Sequence, residues 1–373
     1  MKKTIFLSAL CLLAIMSSCR NDDDNEIIGG DSTQVSDGTQ SAVKGFYLLN
    51  EGQLGRNNST LDYFDAESGI YYTNIFATRN PSVVKELGDT GNDLEIYKDR
   101  LYAVMNGSHK VSIMTADSAH HITDIDIPNG RAICFDGDYA YVSSFVDGSW
   151  GNPDALGAVY RFHIVTLEKD SVTVGYQPEE MAVANGKLYV ANSGGMRSSY
   201  DNRVSVIDLA SFTLSKNIEV GLNLHRVRPD GKGSIYVSSR GNYYDVGSNL
   251  YVIDSRTDNV VDTLNIGATG MCFVGDSAYT YNAEWNYTTY SYTYSYNIID
   301  LNTRDISATE FITDGTQLSA LYGLFINPTT HDVYLTDAGD YSNSGTIYCF
   351  GSDGKLKWQN ATGTCPAHVA LKY

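Results

Sequence analysis

Lys187-Leu188-Tyr189-Val190-Ala191-Asn192 is a short apolar run built around a tyrosine, and runs of the same make recur along the whole chain. Their tyrosines are Tyr47, Tyr102, Tyr141, Tyr189, Tyr236, Tyr279 and Tyr334, set in the strings FYLL, LYAV, AYVS, LYVA, IYVS, AYTY and VYLT. Neighbouring copies lie between 39 residues (Tyr102 to Tyr141) and 55 residues (Tyr47 to Tyr102) apart. That spacing is the period of a propeller blade or another β-repeat rather than of a helical solenoid.

Each copy carries more than the tyrosine run. A second apolar run follows, as in RVSVID from Arg203 or NLYVID from Asn249, and then a weaker one such as NVVDTLNI from Asn259. A short apolar run also precedes each tyrosine, as in DLEIY from Asp93 or EEMAVA from Glu179. Short and alternating apolar runs bounded by Gly, Asn and Asp read as strands, so each unit has four. The copy starting at Gly45 lacks its preceding run, and residues 367–373 are a preceding run with nothing after it. Joining the two completes one blade from both termini, which closes the ring and protects its edge strands. The prediction is an all-β fold: a seven-bladed β-propeller of four-stranded blades over residues 44–373, closed by N- and C-terminal strands in one blade. An open β-solenoid has a similar period, and the split blade argues against it.

Lys2 and Lys3 precede a short apolar core at residues 5–16, too short to span a bilayer, so residues 1–18 read as a signal peptide. Met16-Ser17-Ser18-Cys19 resembles a bacterial lipobox, which makes Cys19 the expected lipidation site and the lipid the expected membrane anchor. The alternative is an ordinary secreted protein with a chance cysteine. The acidic run at residues 20–26 resembles the surface-export signal of Bacteroidetes lipoproteins. Residues 27–43, rich in Gly, Ser, Thr, Asp and Gln, read as the rest of a flexible tether spanning 19–43.

The formal net charge is −18, with 26 Lys and Arg against 44 Asp and Glu. Such acidity argues against nucleic-acid binding, which rests on cations neutralising phosphates, and against docking on anionic lipid by charge. Beyond the leader and Cys19, four cysteines remain: Cys134 and Cys272, expected in the core, and Cys349 and Cys365, for which a bridge stays open. There is no CxxC, GxSxG, HExxH or P-loop. His120-His121 heads an outermost strand, where adjacent side chains point to opposite faces, so a metal pair is not expected. Asp208, Asp254 and Asp300 end strands and fit turn capping. No catalytic residue, metal ligand or cofactor is assigned, and the chain is not expected to be an enzyme.

The links between strands are unequal. On one face of the expected ring they are short (KDR, NGK, GDS), whereas on the other most are long: 50–59, 143–157, 192–202, 238–248, 281–294 and 337–345. Only Asn106-Gly107-Ser108-His109 is short there. The long links hold Trp150, Tyr200, Tyr243, Tyr244, Trp285, Tyr287, Tyr290, Tyr292, Tyr294 and Tyr341, interleaved with Asn58, Asn192, Asn202, Asn242, Asn282 and Asn286. Loops on a rigid scaffold are where function concentrates, and exposed aromatics bury large area against a partner. Aligning the copies puts Asn92, Arg131, Glu179, His225, Thr269, Tyr322 and Ala367 at one level of the channel mouth, with Asp93, Glu180, Arg226 and His368 beside them. The expectation is a bowl with a polar floor and aromatic walls, suited to a large rigid amphipathic molecule.

Asn50-Glu51-Gly52, Gly91-Asn92-Asp93, Gly175-Tyr176-Gln177-Pro178-Glu179-Glu180, Ala191-Asn192-Ser193-Gly194-Gly195, Asn223-Leu224-His225-Arg226, Ser239-Arg240-Gly241-Asn242-Tyr243-Tyr244-Asp245 and Glu284-Trp285 resemble the BtuG family, as does the stretch from Arg79-Asn80-Pro81 through Lys85-Glu86-Leu87-Gly88-Asp89. These are YncE-like propellers, surface lipoproteins of gut Bacteroidetes. The resemblance covers nearly all of the chain after the tether. It implies a seven-bladed propeller at the outer membrane, lipid-anchored and facing the exterior, that captures cobalamin and related corrinoids. It also implies hand-over to a BtuB-like TonB-dependent transporter. Loop lengths and resemblance together make the expected ligand-binding set Asn50, Glu51, Asn92, Asp93, Arg131, Glu179, Glu180, Asn192, His225, Arg226, Arg240, Tyr243, Tyr244, Glu284, Trp285, Tyr322, Tyr341 and His368. Two other classes stay open: a receptor for a glycan or other small molecule, and a propeller hydrolase, for which only Asp93, Glu179 and Glu180 offer clustered carboxylates.

Overall fold

The computed structural model describes residues 30–83, 87–148, 151–286 and 288–373. The leader, Cys19, the acidic run, Lys85-Glu86, Trp150 and Tyr287 lie outside the described residues.

Seven antiparallel sheets form seven blades. In one, Pro178–Ala184, Lys187–Asn192, Arg203–Asp208 and Thr213–Glu219 follow in chain order from the inner strand to the outer. Tyr189 stands opposite Ala182 on one side and Val206 on the other, so the tyrosine run lies in the middle of its sheet. The closing blade is the split one: Pro366–Lys372 pairs with Gly45–Asn50, with Tyr47 opposite Ala370. All six positions of Gly45–Asn50 are buried.

The core lies between neighbouring sheets. Tyr189, Val204 and Val206 of one blade pack with Val227, Ile235, Val237 and Ile253 of the next. The tyrosines fill the space between blades, and Tyr47, Tyr102, Tyr141, Tyr189 and Tyr236 are fully buried. In the sixth copy Tyr281 takes that role, while Tyr279 is half-buried against Phe311. The outermost strand there, Ile306–Ala308, has three residues and covers less of the blade.

Two sequence expectations need correction, and the open Cys349–Cys365 pairing is answered. Ser32–Gln34, read as tether, is a fifth and outermost strand of the closing blade, with Ser32 opposite Tyr72. The link at 281–294 is not a loop: Ser277–Asn286 and Ser291–Asp300 are one long hairpin, with Glu284 opposite Thr293 and Trp285 opposite Tyr292. Its Tyr/Thr-rich alternation satisfies strand periodicity as readily as it resembles a polar aromatic loop. Cys349 and Cys365 are free thiols packed in separate clusters, Cys349 with Phe46 and Tyr334 and Cys365 with Ala320 and Ala338. Cys134 and Cys272 pack against core clusters but are only half-buried. Burial pushes the Cys134 thiol up, and the neighbouring Asp93 and Glu95 carboxylates push it further.

The turn aspartates cap as expected: Asp208, Asp254 and Asp300 accept from the backbone N–H groups of Ser211, Arg256 and Asn302 at 2.7–2.8 Å. His120 is exposed, while His121 pairs with Asp124 at 3.0 Å. Among the described residues no group of three or more His, Cys, Asp or Glu is arranged to hold a metal ion.

Candidate functional site

The inner strands meet the channel mouth at their first residues, and there the ladders slip. Register shifts separate Gly91 from Asp93, Pro178 from Met181, Leu224 from Val227 and Leu321 from Gly323. A bulge of this kind breaks the alternation of a strand and re-aims its side chains. Consecutive residues therefore share one surface: Asn92 with Asp93, Glu179 with Glu180, His225 with Arg226. They line a cavity of about 990 Å³, with Glu51, Arg131, Tyr322 and His368 on the same floor. The walls are Arg240, Tyr243, Tyr244, Glu284, Trp285 and Tyr341 from the rim segments.

The floor charges are engaged with one another. Arg131 donates to Glu179 at 2.9 Å and to Asn92 at 2.6 Å. Glu180 accepts from Arg226 and Arg228, each at 2.5 Å, and from the backbone N–H of Val227 at 3.0 Å. Tyr322 donates its hydroxyl to Glu51 at 2.6 Å, and His368 lies 3.2 Å from Glu51 and 3.6 Å from Asp93. Arg240 donates to Nε2 of His225 at 2.8 Å. The floor is polar as expected, but most of its hydrogen-bonding capacity is used internally.

Burial raises the Glu180 carboxyl, yet Arg228 and Arg226 outweigh that cost and hold it at about 2. Asp93 goes the other way: burial raises it more than His368 lowers it. Burial drives His225 well below the ordinary histidine value, and the guanidinium groups of Arg240, Arg226, Arg131 and Arg228 add to the effect. His225 is therefore neutral at physiological pH. Burial and the adjacent Glu51 carboxylate hold the Tyr322 hydroxyl protonated.

The walls are open aromatic surface. Tyr244 is 94% exposed, Tyr243 61% and Trp285 42%. Trp285 meets Tyr292 edge to face at 5.0 Å, and Tyr341 meets Tyr322 in the same way at 5.9 Å. The segment from Arg240 to Ser248 is wound around Asn242, whose side-chain oxygen accepts from the backbone N–H groups of Tyr244, Asp245 and Val246. Gly241, at φ 65°, sits where a Cβ would fall 1.9 Å from the carbonyl oxygen of Val246. Winding the loop this tightly needs a glycine there.

Asn50 and Asn192 are not in the cavity. Both are fully buried at the ends of tyrosine strands. Asn50 donates to Thr60, and Asn192 accepts from the backbone N–H of Gly175 and donates to Ser205 and the carbonyl of Arg203. An amide with two donors and an acceptor can staple neighbouring strands, and that is its work here. Several lining residues escaped the sequence reading: Thr90, Tyr281, Ala283, Asp245 and Leu321. Arg228, the second partner of Glu180, also did, although its two-residue spacing from Arg226 puts both on one strand face.

A family model described as a domain of unknown function, DUF5074, matches residues 44–359. The chain belongs to the DUF5074 family. No curated protein matches it. Among solved structures, this DUF5074 chain is similar to a quinonprotein alcohol dehydrogenase-like protein from Bacteroides thetaiotaomicron, at 15% identity and a TM-score of 0.65, over 88% of this chain and 78% of that one. It is also similar to hydrazine synthase of Kuenenia stuttgartiensis, at 16% identity and a TM-score of 0.60, over 75% and 89%. A functionally unknown protein from Desulfotomaculum acetoxidans matches at 10% identity and a TM-score of 0.62, over 88% and 99%. At such identities the likeness is one of fold, and a propeller fold by itself names no function for a DUF5074 protein.

Proposed function

We propose that this DUF5074 protein is a receptor that captures cobalamin or a related corrinoid in the channel-mouth cavity. The observation that carries the reading is an open bowl of about 990 Å³ with exposed aromatic walls above a polar floor. Small-molecule sites run from roughly 300 to 1,000 Å³, so the bowl suits a ligand at the large end. A corrin ring offers a broad face for Tyr243, Tyr244 and Trp285 to cover and a rim of amides for polar groups to meet. A rigid ring entering a preformed bowl loses little conformational freedom, which favours tight binding. The BtuG-like strings around Glu51, Asn92-Asp93, Glu179-Glu180, His225-Arg226, Arg240–Asp245 and Glu284-Trp285 support the same ligand, because those residues line the bowl.

In this reading the lipid on Cys19 and the tether hold the propeller on the outer face of the outer membrane, and the corrinoid passes to a BtuB-like TonB-dependent transporter. A glycan receptor is the second reading, favoured by the same aromatic platform, since sugars also stack on aromatic rings. A metal-dependent hydrolase is less favoured: Asp93, Glu179 and Glu180 are engaged by His368, Arg131, Arg226 and Arg228.

The test is to mix the protein lacking residues 1–25 with cyanocobalamin, desalt it, and read the protein fraction by absorbance. A coloured fraction, with calorimetric binding to cyanocobalamin and none to an oligosaccharide panel, is the expected result. A colourless fraction with heat released by a glycan moves the assignment to the second reading, and chelator-sensitive turnover of a lactone moves it to the third.

A further inference from the structure

The cavity contains one cation that its own carboxylates leave alone. Arg131 is paired with Glu179, and Arg226 with Glu180. Among the described lining residues, Arg240 is the arginine without a carboxylate partner, and its side chain donates to the neutral imidazole of His225. The nearby acid, Asp245, accepts from Asn242 instead. Glu284 accepts from Asn282, and Glu51 from Tyr322.

His225 supplies the second observation. It is 7% exposed, lines the cavity, and its Nδ1 is buried with no hydrogen-bond partner. Because Nε2 accepts from Arg240, a neutral ring carries its hydrogen on Nδ1, so an unmet donor stands beside an arginine with no counter-ion. That donor is shut away from the cavity surface, so what His225 offers a ligand is the fixed place it gives the Arg240 guanidinium, at a cost that ordinary core packing would not carry. Burial, and after it the guanidinium groups of Arg240, Arg226, Arg131 and Arg228, keep a proton off His225, so the ring offers Arg240 no counter-charge.

We propose that Arg240, backed by His225, is an oxyanion subsite that takes the phosphate or carboxylate group of the cavity's ligand. The geometry of the subsite does not depend on the corrinoid reading. The identity of the anion rests on it: cobalamin carries a phosphodiester, and cobinamide, which lacks the nucleotide, does not. A guanidinium fork is suited to two-point recognition of such a group, whereas a lone ammonium is not.

Two measurements test the proposal separately. The first titrates inorganic phosphate into the protein and follows the His225 ring resonances by NMR. A saturable shift in wild type that is absent in Arg240→Gln supports the subsite, and Gln is chosen because it removes the charge while keeping a polar side chain. No shift in wild type up to the solubility limit of the salt overturns it, and a shift confined to the ring of an exposed histidine such as His120 means an adventitious ion only and does the same. The second compares cyanocobalamin with cobinamide by calorimetry. In Arg240→Gln, cyanocobalamin loses about tenfold more affinity than cobinamide, with Arg240→Lys intermediate. Equal losses for both ligands overturn the assignment to the phosphodiester. Failure of wild type to bind either corrinoid refutes the receptor reading of the preceding section and leaves the phosphate titration to decide the subsite.

Discussion

Glu180 stands at the channel mouth, engaged by partners that the alignment of the repeats does not show. Its position there follows from that alignment. It is a buried carboxylate held by two arginines and a backbone amide. Removing one side of a buried ion cluster leaves the other charges uncompensated, at a cost of about 3–5 kcal/mol. Glu180→Gln is therefore expected to lower the urea midpoint at pH 7 markedly. The pH dependence has a definite sign. Glu180 titrates at about 2 in the fold against an ordinary 4.5, so its contribution is complete above 4.5 and is lost as pH falls toward 2. Denaturation midpoints measured from pH 7 down to pH 2 are expected to drop more steeply below 4.5 in wild type than in Glu180→Gln. Parallel curves would show that the two arginines are not what holds the carboxylate.

Asn242 and the long hairpin shape the rim of the cavity. The 240–248 segment leaves Tyr243 and Tyr244 in the open because Asn242 takes three backbone N–H groups that a longer or looser loop would give to water. Asn242→Ala is expected to weaken cyanocobalamin binding by about tenfold with a melting temperature near wild type, since the segment sits at the rim, outside the blade core. Tyr244→Ala is the companion, because a side chain 94% exposed contributes little to stability. It is expected to leave the urea midpoint unchanged and to weaken binding by at least tenfold, and Trp285→Ala, whose indole stands on the paired hairpin, is expected to weaken binding as much. Calorimetry on all three decides whether these walls touch the ligand; unchanged affinity in both aromatic variants removes them from the site. Tyr, Thr, Ser and Asn serve a loop and a strand extension alike, and only the pairing of Trp285 with Tyr292 resolves which holds.

Ring closure governs the whole molecule. Gly45–Asn50 is buried along its length, between Thr60–Asp65 and Pro366–Lys372. Deleting residues 366–373 uncovers that edge and opens the annulus, and an unpaired apolar edge is a template for aggregation. The truncated chain is expected to elute as aggregate and to lose its cooperative unfolding transition. Deleting residues 30–34 is the control: Ser32–Gln34 is exposed and pairs only with Ile70–Tyr72, so cooperative unfolding should persist with a midpoint close to wild type. Size-exclusion chromatography and circular dichroism read both. If the two truncations behave alike, the split blade is not what closes the ring.

The repeat count, the strand order within a blade and the split closing blade all follow from local periodicity, because a strand's alternation and its bounding turns are written in consecutive residues. So does the face that carries the long links and the aromatic bowl, since link lengths can be read directly. The floor positions were recoverable because each recurs at a fixed distance before its tyrosine. Three-dimensional packing alone decided the rest. It buried Asn50 and Asn192 as strand staples, engaged Glu180 with Arg228, and left Arg240 facing a neutral histidine. The Glu180 pairing depends on contacts between blades, such as Arg226 to Glu180 across 46 positions, while the Asn50, Asn192 and Arg240 contacts join strands and links 10 to 17 residues apart whose register only the folded sheet sets. Hydrogen bonds and ion pairs at that range are set by which surfaces the closed ring brings together, and no local pattern encodes them.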